Sequence, residues 1–256
     1  MIDIHSHILP GVDDGARNWD ESLLMAKKAI DNGIDKIIAT PHHQNGIYFN
    51  DSNIVISLVG ILNQLLQNDH IPLTIYPGNE TQMYSDFVTN LKEEQFLTIN
   101  DTKRYVFLEL PNNEVPRFAE QLIYDVQLAG YIPVIPHPER NKDIRSNPIK
   151  IYQLVKRGAL TQITSSSLLG LFGKDVQKFS FELIDCNLTH LLATDAHESD
   201  GNRGFNLKEG YLMLDTIGGS NLVQQFIRNV ESVFHGREIY VDVPVKITNK
   251  KFFGII

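Results

Sequence analysis

MIDIHSHILPGVDDG, residues 1–15, is a short apolar strand pattern that ends in His5 and His7 and runs into a glycine-containing loop with Asp13 and Asp14. Side chains two apart on a strand project from the same side, so His5 and His7 can grip one ion together. The same arrangement recurs downstream. KIIATPHH ends in His42 and His43, LTIYPGNE in Glu80, YVFLE in Glu109, IPVIPH in His137, and THLLATDAH in Asp195 and His197. In a parallel α/β sheet or barrel, the carboxyl ends of the strands and the loops after them converge on one face, where chemistry collects. The chain therefore reads as an α/β enzyme with a multi-metal site.

Helical patterns alternate with these runs, as expected of successive βα units and a mainly parallel sheet. NWDESLLMAKKAIDNG offers Asn18 or Asp20 as an N-cap and Gly33 as a stop, and Ile54, Leu58, Ile61, Leu62 and Leu65 repeat at helical spacing. A polar stretch without clear periodicity runs to about Thr102. Pro116 is placed to open a helix carrying Phe118, Leu122, Ile123 and Val126, and Asn147 with Pro148 reads as an N-cap and first-turn pair. LTQIT is a short strand, and further helices are expected over 176–184, 211–217 and 222–234.

At 256 residues with 42% apolar content, the chain suits one α/β domain over 1–256 with a sizeable core. The formal net charge of -8 argues against broad binding to nucleic acid or anionic membrane, while leaving room for a local cationic pocket. No run approaches the roughly 20 apolar residues that span a bilayer, and no signal-peptide pattern opens the chain. The single cysteine, Cys186, fits a reducing cytoplasm. It lies in a helix-like pattern with Leu192, not arginine, six residues later, so thiolate phosphatase chemistry is excluded and any phosphatase activity must use metals. The basic and apolar tail VKITNKKFFGII, 245–256, suits contact with a membrane face or partner as well as packing across the barrel bottom.

The ligand set contains nitrogen and oxygen but no thiolate, which suits manganese, iron, zinc, cobalt or magnesium. Of Asp13 and Asp14, one is free to cap the next helix or brace the loop instead of binding metal. Adjacent residues on an extended segment face opposite ways, so only one of His42 and His43 should be a ligand. His42 is the better candidate, leaving His43 to a hydrogen bond or the phosphate mouth. Glu80 and Glu109 would each be costly at a buried strand end unless paired or coordinated. Two or three ions held ~3.5–4 Å apart activate a hydroxide and stabilise both attacking and leaving oxygens, which makes phosphate-ester hydrolysis the natural reaction class. Arg140 in HPERNKDIR and Arg203 in SDGNRGF are placed to clamp phosphoryl oxygens, the alternative for either being an ordinary surface arginine. Lys142 and Arg145 read as shaping the field or as solvated, and His70, His190 and His235 as surface or structural residues.

DIHSHILPGVDDG, IIATPHH, YPGNE, FLELP, VIPHPERN, QITSSSLLGLFGK and ATDAHE together resemble the polymerase and histidinol phosphatase (PHP) superfamily. They are most similar to the bacterial metal-dependent protein-tyrosine phosphatases of capsular and exopolysaccharide operons. The resemblance implies a distorted (β/α)7 barrel, the PHP fold, with three divalent ions, manganese favoured. One ion would take His5, His7, Glu80 and Asp195; a second would share Glu80 with Glu109 and His137; a third would take Asp14, His42 and His197. It further implies in-line attack of a metal-bridging hydroxide on phosphotyrosine held by Arg140 and Arg203. The implied partner is the tyrosine-rich tail of a membrane-associated autokinase that controls polysaccharide assembly, which would recruit a cytoplasmic phosphatase to the inner membrane face. A homo-oligomer is compatible with a barrel of this size.

Pro136, Ser166 and Glu198 depart from the residues common in relatives, and none removes a proposed ligand; Glu198 bears on the charge near Arg203. Two rival activities keep the metals and change the substrate: a small-metabolite phosphatase such as a histidinol phosphatase, and a nucleic-acid-processing PHP domain, which the acidic balance opposes. A phosphotyrosine-binding module without turnover would show lost ligands, yet all nine positions are filled.

Overall fold

In the computed structural model, residues 1–248 are described. The strands are β1 (Ile2–Ser6), β2 (Lys36–Ala39), β3 (His42–His43), β4 (Thr74–Pro77), β5 (Glu80–Gln82), β6 (Tyr105–Glu109), β7 (Ile132–Pro136), β8 (Leu160–Thr164) and β9 (Leu191–Ala193). All pair in parallel, in the orders β1-β2-β4 and β3-β5-β6-β7-β8-β9. The chain runs from β2 through Thr40 and Pro41 into β3, and from β4 through Gly78 and Asn79 into β5, so each of these pairs fills one strand position. Pro41, which has no N–H, interrupts the first of them. A parallel bridge between Ser6 and Ala196, with Asp195 N donating to the His5 carbonyl (2.9 Å) and His7 N to the Ala196 carbonyl (2.8 Å), then joins the two outer strands. The result is a ring of seven strand positions, in agreement with the (β/α)7 expectation.

Alternation along the strands sorts side chains into two cores. Val106 and Leu108 of β6, Ile135 of β7, Ile163 of β8 and Leu192 of β9 face outward to a layer of helices. That layer includes α1 (Trp19–Asp31), α2 (Ser52–Asn68), α3 (Phe87–Lys92), α4 (Ala119–Leu128), α5 (Lys142–Ser146), α6 (Ile149–Lys156), α7 (Ser165–Leu168) and α8 (Lys174–Asp185). The intervening residues Tyr105, Phe107, Val134, Leu160, Leu191 and Ala193 form a smaller inner core with Ile4 and Ile38. The final helix, α9 (Leu207–Phe234), adds Val230, Val233 and Phe234 to this inner cluster and so closes one end of the ring. No helix among the described residues is long and apolar enough to cross a membrane.

Local chemistry settles several boundaries. Asn18 rather than Asp20 caps α1, its side chain accepting from Glu21 N. Pro116 precedes α4 instead of opening it: the helix starts at Ala119, whose N–H reaches the Pro116 carbonyl (3.0 Å), after a separate turn. Asn147 likewise does not cap the following helix; it ends α5, a short helix the periodicity did not reveal, and Pro148 precedes α6. The two patterns expected over 211–217 and 222–234 lie on one helix broken at Gly219 (φ 73°). Of the tail, residues 249–256 lie outside the described residues. Its start packs on the body, with Val245 N donating to the Cys186 carbonyl (2.8 Å).

Candidate metal centre

The inner core continues upward into ligands on the same faces of the same strands. Tyr105 and Phe107 lead to Glu109, Leu191 and Ala193 to Asp195, Ile38 to His42 and Tyr76 to Glu80, always at two-residue steps. β1 breaks this phase, because its register with β2 shifts between Asp3 and Ser6. That irregularity brings His5 and His7 to the centre although Ile4 lies in the inner core. His137 and Asp195 adopt left-handed backbone conformations (φ 36° and 54°), sparsely populated for such residues and a cost the surrounding fold must carry.

Three groups of donors result. Nε2 of His5 lies 3.2 Å from Glu80 Oε2 and 3.2 Å from Asp195 Oδ1, and Nε2 of His7 lies 3.3 Å and 3.2 Å from the same atoms. His42 Nδ1 approaches Glu80 Oε2 (3.1 Å) and Glu109 Oε2 (3.7 Å). Asp14 Oδ1 stands between His42 Nε2 (3.5 Å) and His197 Nε2 (3.3 Å), with His7 close enough to join them. His137 Nε2 hydrogen-bonds Glu80 Oε1 at 2.6 Å. All nine expected ligands therefore converge. The first grouping matches the expectation, while in the second His42 stands beside Glu80 and Glu109, with His137 on the far oxygen of Glu80.

The groups that orient these ligands were largely hidden in the sequence. Asp13 Oδ2 holds His7 Nδ1 (2.7 Å) and accepts from His42 N (3.1 Å), which assigns it the bracing role and leaves Asp14 to the centre. Gln162 Oε1 meets His5 Nδ1 at 2.8 Å. Such contacts set which ring nitrogen faces the centre. The Asp13 loop crosses so close to β1 that a Cβ at Gly15 would fall 2.0 Å from the His7 carbonyl oxygen; only glycine fits there. His43 departs from its expectation. It is buried against Phe96 (ring centroids 5.3 Å) with both ring nitrogens unpartnered, away from the cleft.

Both arginines line the cleft. Arg140 Nη2 pairs with Asp195 Oδ2 (2.6 Å) and its guanidinium sits 5.5 Å from the Phe172 ring; Arg203 Nη1 donates to Asp14 Oδ2 (2.9 Å). Next to Arg140, buried Glu139 accepts from Thr164 N (3.0 Å), Thr164 Oγ1 (3.2 Å) and Ser167 Oγ (2.7 Å), anchoring the loop on the TSSS turn. Arg145 supports the same loop by donating to the Glu139 carbonyl (2.8 Å). Glu198 accepts from the backbone N–H of Arg203 (3.2 Å), so it shapes this loop as well as its charge. Arg140, Arg203, Lys142 and Tyr48 line a cleft of about 520 Å³ with Asp14, His42, Glu109, His137, Asp195 and His197, whereas His5, His7 and Glu80 are fully buried.

The charges in this cleft conflict when left to themselves. Burial, reinforced by the neighbouring Glu80 charge, pushes the Glu109 carboxyl up to about 8. Burial also raises Glu80, yet the surrounding imidazoles more than offset it and hold that carboxyl well below the usual range. For His42, burial disfavours the charge, but Glu80 and Asp14 outweigh it and push the imidazole up to about 10. Burial and then the Arg140 charge press His137 down to about 4. Glu80 Oε2, Glu109 Oε2, Asp195 Oδ1 and His197 Nε2 are all buried without a hydrogen-bond partner. Buried polar atoms are rarely left so. Divalent cations fit this donor set: they would take the orphaned lone pairs and relieve the crowding of four carboxylates.

Residues 1–235 match the family described as capsular polysaccharide synthesis, CpsB/CapC. The chain is 46% identical over 254 residues to the tyrosine-protein phosphatase YwqE of Bacillus subtilis strain 168, covering 99% of both. It is also similar to a solved structure described under YwqE from Bacillus subtilis and CpsB from Streptococcus pneumoniae, "unique metal-dependent tyrosine phosphatases", with TM-score 0.94, 45% identity, and coverage of 97% of this chain and 100% of that one. The histidinol phosphate phosphatase of Lactococcus lactis shares the fold, with TM-score 0.53 at 13% identity over 91% of this chain and 93% of that one. With its candidate ligands converging at the strand ends and its length matched almost throughout, the chain belongs to the CpsB/CapC family of capsular polysaccharide synthesis.

Proposed function

We propose that this chain, acting as one phosphatase domain, hydrolyses phosphotyrosine in proteins with the help of three divalent metal ions, manganese favoured. The observation that carries the reading is the convergence of nine imidazoles and carboxylates, several with orphaned atoms, beside a cleft that also holds two tethered guanidiniums. Relatives named as tyrosine-protein phosphatases, one described as metal-dependent, support the substrate. His5, His7, Glu80 and Asp195 would hold one ion, Glu80, Glu109 and His137 a second, and Asp14, His42 and His197 a third. When bound, such ions supply Lewis acidity and a nucleophile at neutral pH.

The chain's own residues do the rest. Arg140 and Arg203 each spend one N–H on a ligand carboxylate, and a guanidinium has five, so both retain donors for phosphoryl oxygens. Asp13 and Gln162 keep the histidine rings aimed. A phenolate, with pKa about 10, leaves with little proton donation, so a dedicated general acid is not required. The family's place in capsular polysaccharide synthesis supports the phosphotyrosine tail of a membrane-associated autokinase as the partner, met at the cytoplasmic membrane face.

The test is release of phosphate by chelator-stripped protein from a phosphotyrosine peptide, histidinol phosphate and single-stranded DNA, with and without manganese. Manganese-dependent turnover mainly of the peptide is expected, falling about 10²–10³-fold in Arg140→Ala, the scale for losing one preorganised oxyanion donor. Preference for either other substrate would overturn the assignment.

A further inference from the structure

Most residues that line the cleft are of polar or charged type, and the exception faces it from one side. Among the described residues that line it, only Ile47 and Tyr48 carry an aliphatic or phenol side chain; the others are polar or charged. Both come from the loop over 44–50, GIYF at its tip, which exposes Ile47 and Phe49 and leaves Tyr48 half-buried between them. Ile47 is 75% exposed and Phe49 60%. Phosphoryl oxygens, metals and guanidiniums satisfy one another, and Arg140 already lies over the Phe172 ring, so apolar area for a substrate's phenyl ring comes from Ile47 and Tyr48.

The loop is built, not merely draped. Asn45 Oδ1 accepts from Ile47 N (3.1 Å) and Tyr48 N (2.9 Å), and Gln44 N donates to the Tyr48 carbonyl (3.0 Å). Asn50 then ties it to the ligand strand, donating to the His42 carbonyl (2.8 Å) and the Val12 carbonyl (2.9 Å). The Tyr48 ring lies nearly parallel to that of His42, 9° between planes with centroids 6.2 Å apart. Its position is thus referred to the metal centre through β3.

We propose that this loop is the substrate's aryl-recognition wall: Tyr48 and Ile47 pack on the phenyl ring of phosphotyrosine and select aryl over alkyl phosphates. The proposal rests on the phosphotyrosine phosphatase reading and adds the residues that decide specificity. Apolar contact is non-directional and grows with the area covered, so a short phosphoserine side chain, whose phosphate reaches the same arginines, gains little from this wall. An aromatic neighbour adds a preference for ring against ring.

The experiment compares competitive inhibition by phenylphosphonate and methylphosphonate in manganese-loaded wild type, Tyr48→Ala, Tyr48→Phe and Ile47→Ala, with a phosphotyrosine peptide as substrate. In Tyr48→Ala the phenylphosphonate Ki should rise about tenfold while the methylphosphonate Ki moves less than twofold, the scale on which an apolar pocket discriminates. Tyr48→Phe should retain the wild-type ratio, and Ile47→Ala should show a smaller loss of the same kind. Equal weakening of both inhibitors, or no change in either, would overturn the proposal. Wild-type turnover separates the two readings: no manganese-dependent release of phosphate from the peptide would sink the phosphatase assignment itself, whereas turnover beside an unchanged Tyr48→Ala inhibitor ratio sinks only the aryl wall.

Discussion

The two halves of the ring's interior sit on the same strands, and side chains two residues apart belong to opposite regimes. Below, Phe107, Val134, Leu191 and Phe234 are buried among apolar neighbours, and nearly every contact favours the folded chain. Above, Glu80, Glu109 and Asp195 are equally buried but crowd like charges and orphaned oxygens together. The lower half supplies the stability on which the upper half draws. Strain and charge conflict are tolerated at a functional site when the scaffold over-determines them.

The contrast breaks most visibly in the lower half. Phe234→Ala removes a buried ring that meets Tyr76 edge-on (4.8 Å), and should cost about 3–5 kcal/mol in chemical denaturation. Turnover per folded molecule should stay near wild type. A matching drop in kcat of the folded fraction would show that the two halves are one unit.

A titrating group of the lower half sharpens the comparison next. Burial pushes His190 down to about 4, and its Nδ1 accepts from Thr161 N (3.1 Å), so the folded state holds it neutral. Unfolding therefore takes up a proton between about pH 6.5 and 4, and stability falls on acidification through that window, by at most about 3 kcal/mol. Below about pH 4 this contribution is flat. Unfolding free energies of wild type and His190→Gln across pH 4–7 should converge towards acid; parallel curves would show that His190 carries no such linkage.

The smallest effect belongs to the bracing layer of the upper half. Asp13→Asn keeps the shape of the group that holds His7 but removes its charge. It should lower metal affinity about 10–100-fold by calorimetric titration, with little change in melting temperature. A large stability loss with unchanged affinity would make Asp13 a loop brace alone.

Much of this centre was legible because a carboxylate or imidazole at the end of an apolar strand has few other uses. Glu80, Glu109, His137 and Asp195 announced themselves in that way. The bracing partners did not. Asp13 and Asp14 are adjacent and chemically equal, so only the path of the loop across Gly15 tells which one reaches the centre. Glu139 looks like one more charge beside two arginines, yet it is buried in a socket of hydroxyl and amide donors from a turn 25–28 residues away. His43 has the residue type of a ligand and the orientation of a core side chain.

The sequence by itself determined the alternation of strand and helix, the inward column of each strand, and the kinds of atom brought to its upper end, because periodicity and residue chemistry are local properties. Tertiary structure alone decided the closure of the ring through Ser6 and Ala196, the register shift that swings His5 into phase, and the left-handed turns at His137 and Asp195. It also decided the seating of Ile47 and Tyr48 beside the cleft. Each of these depends on groups far apart in the chain meeting at fixed distances, and no local pattern encodes a meeting.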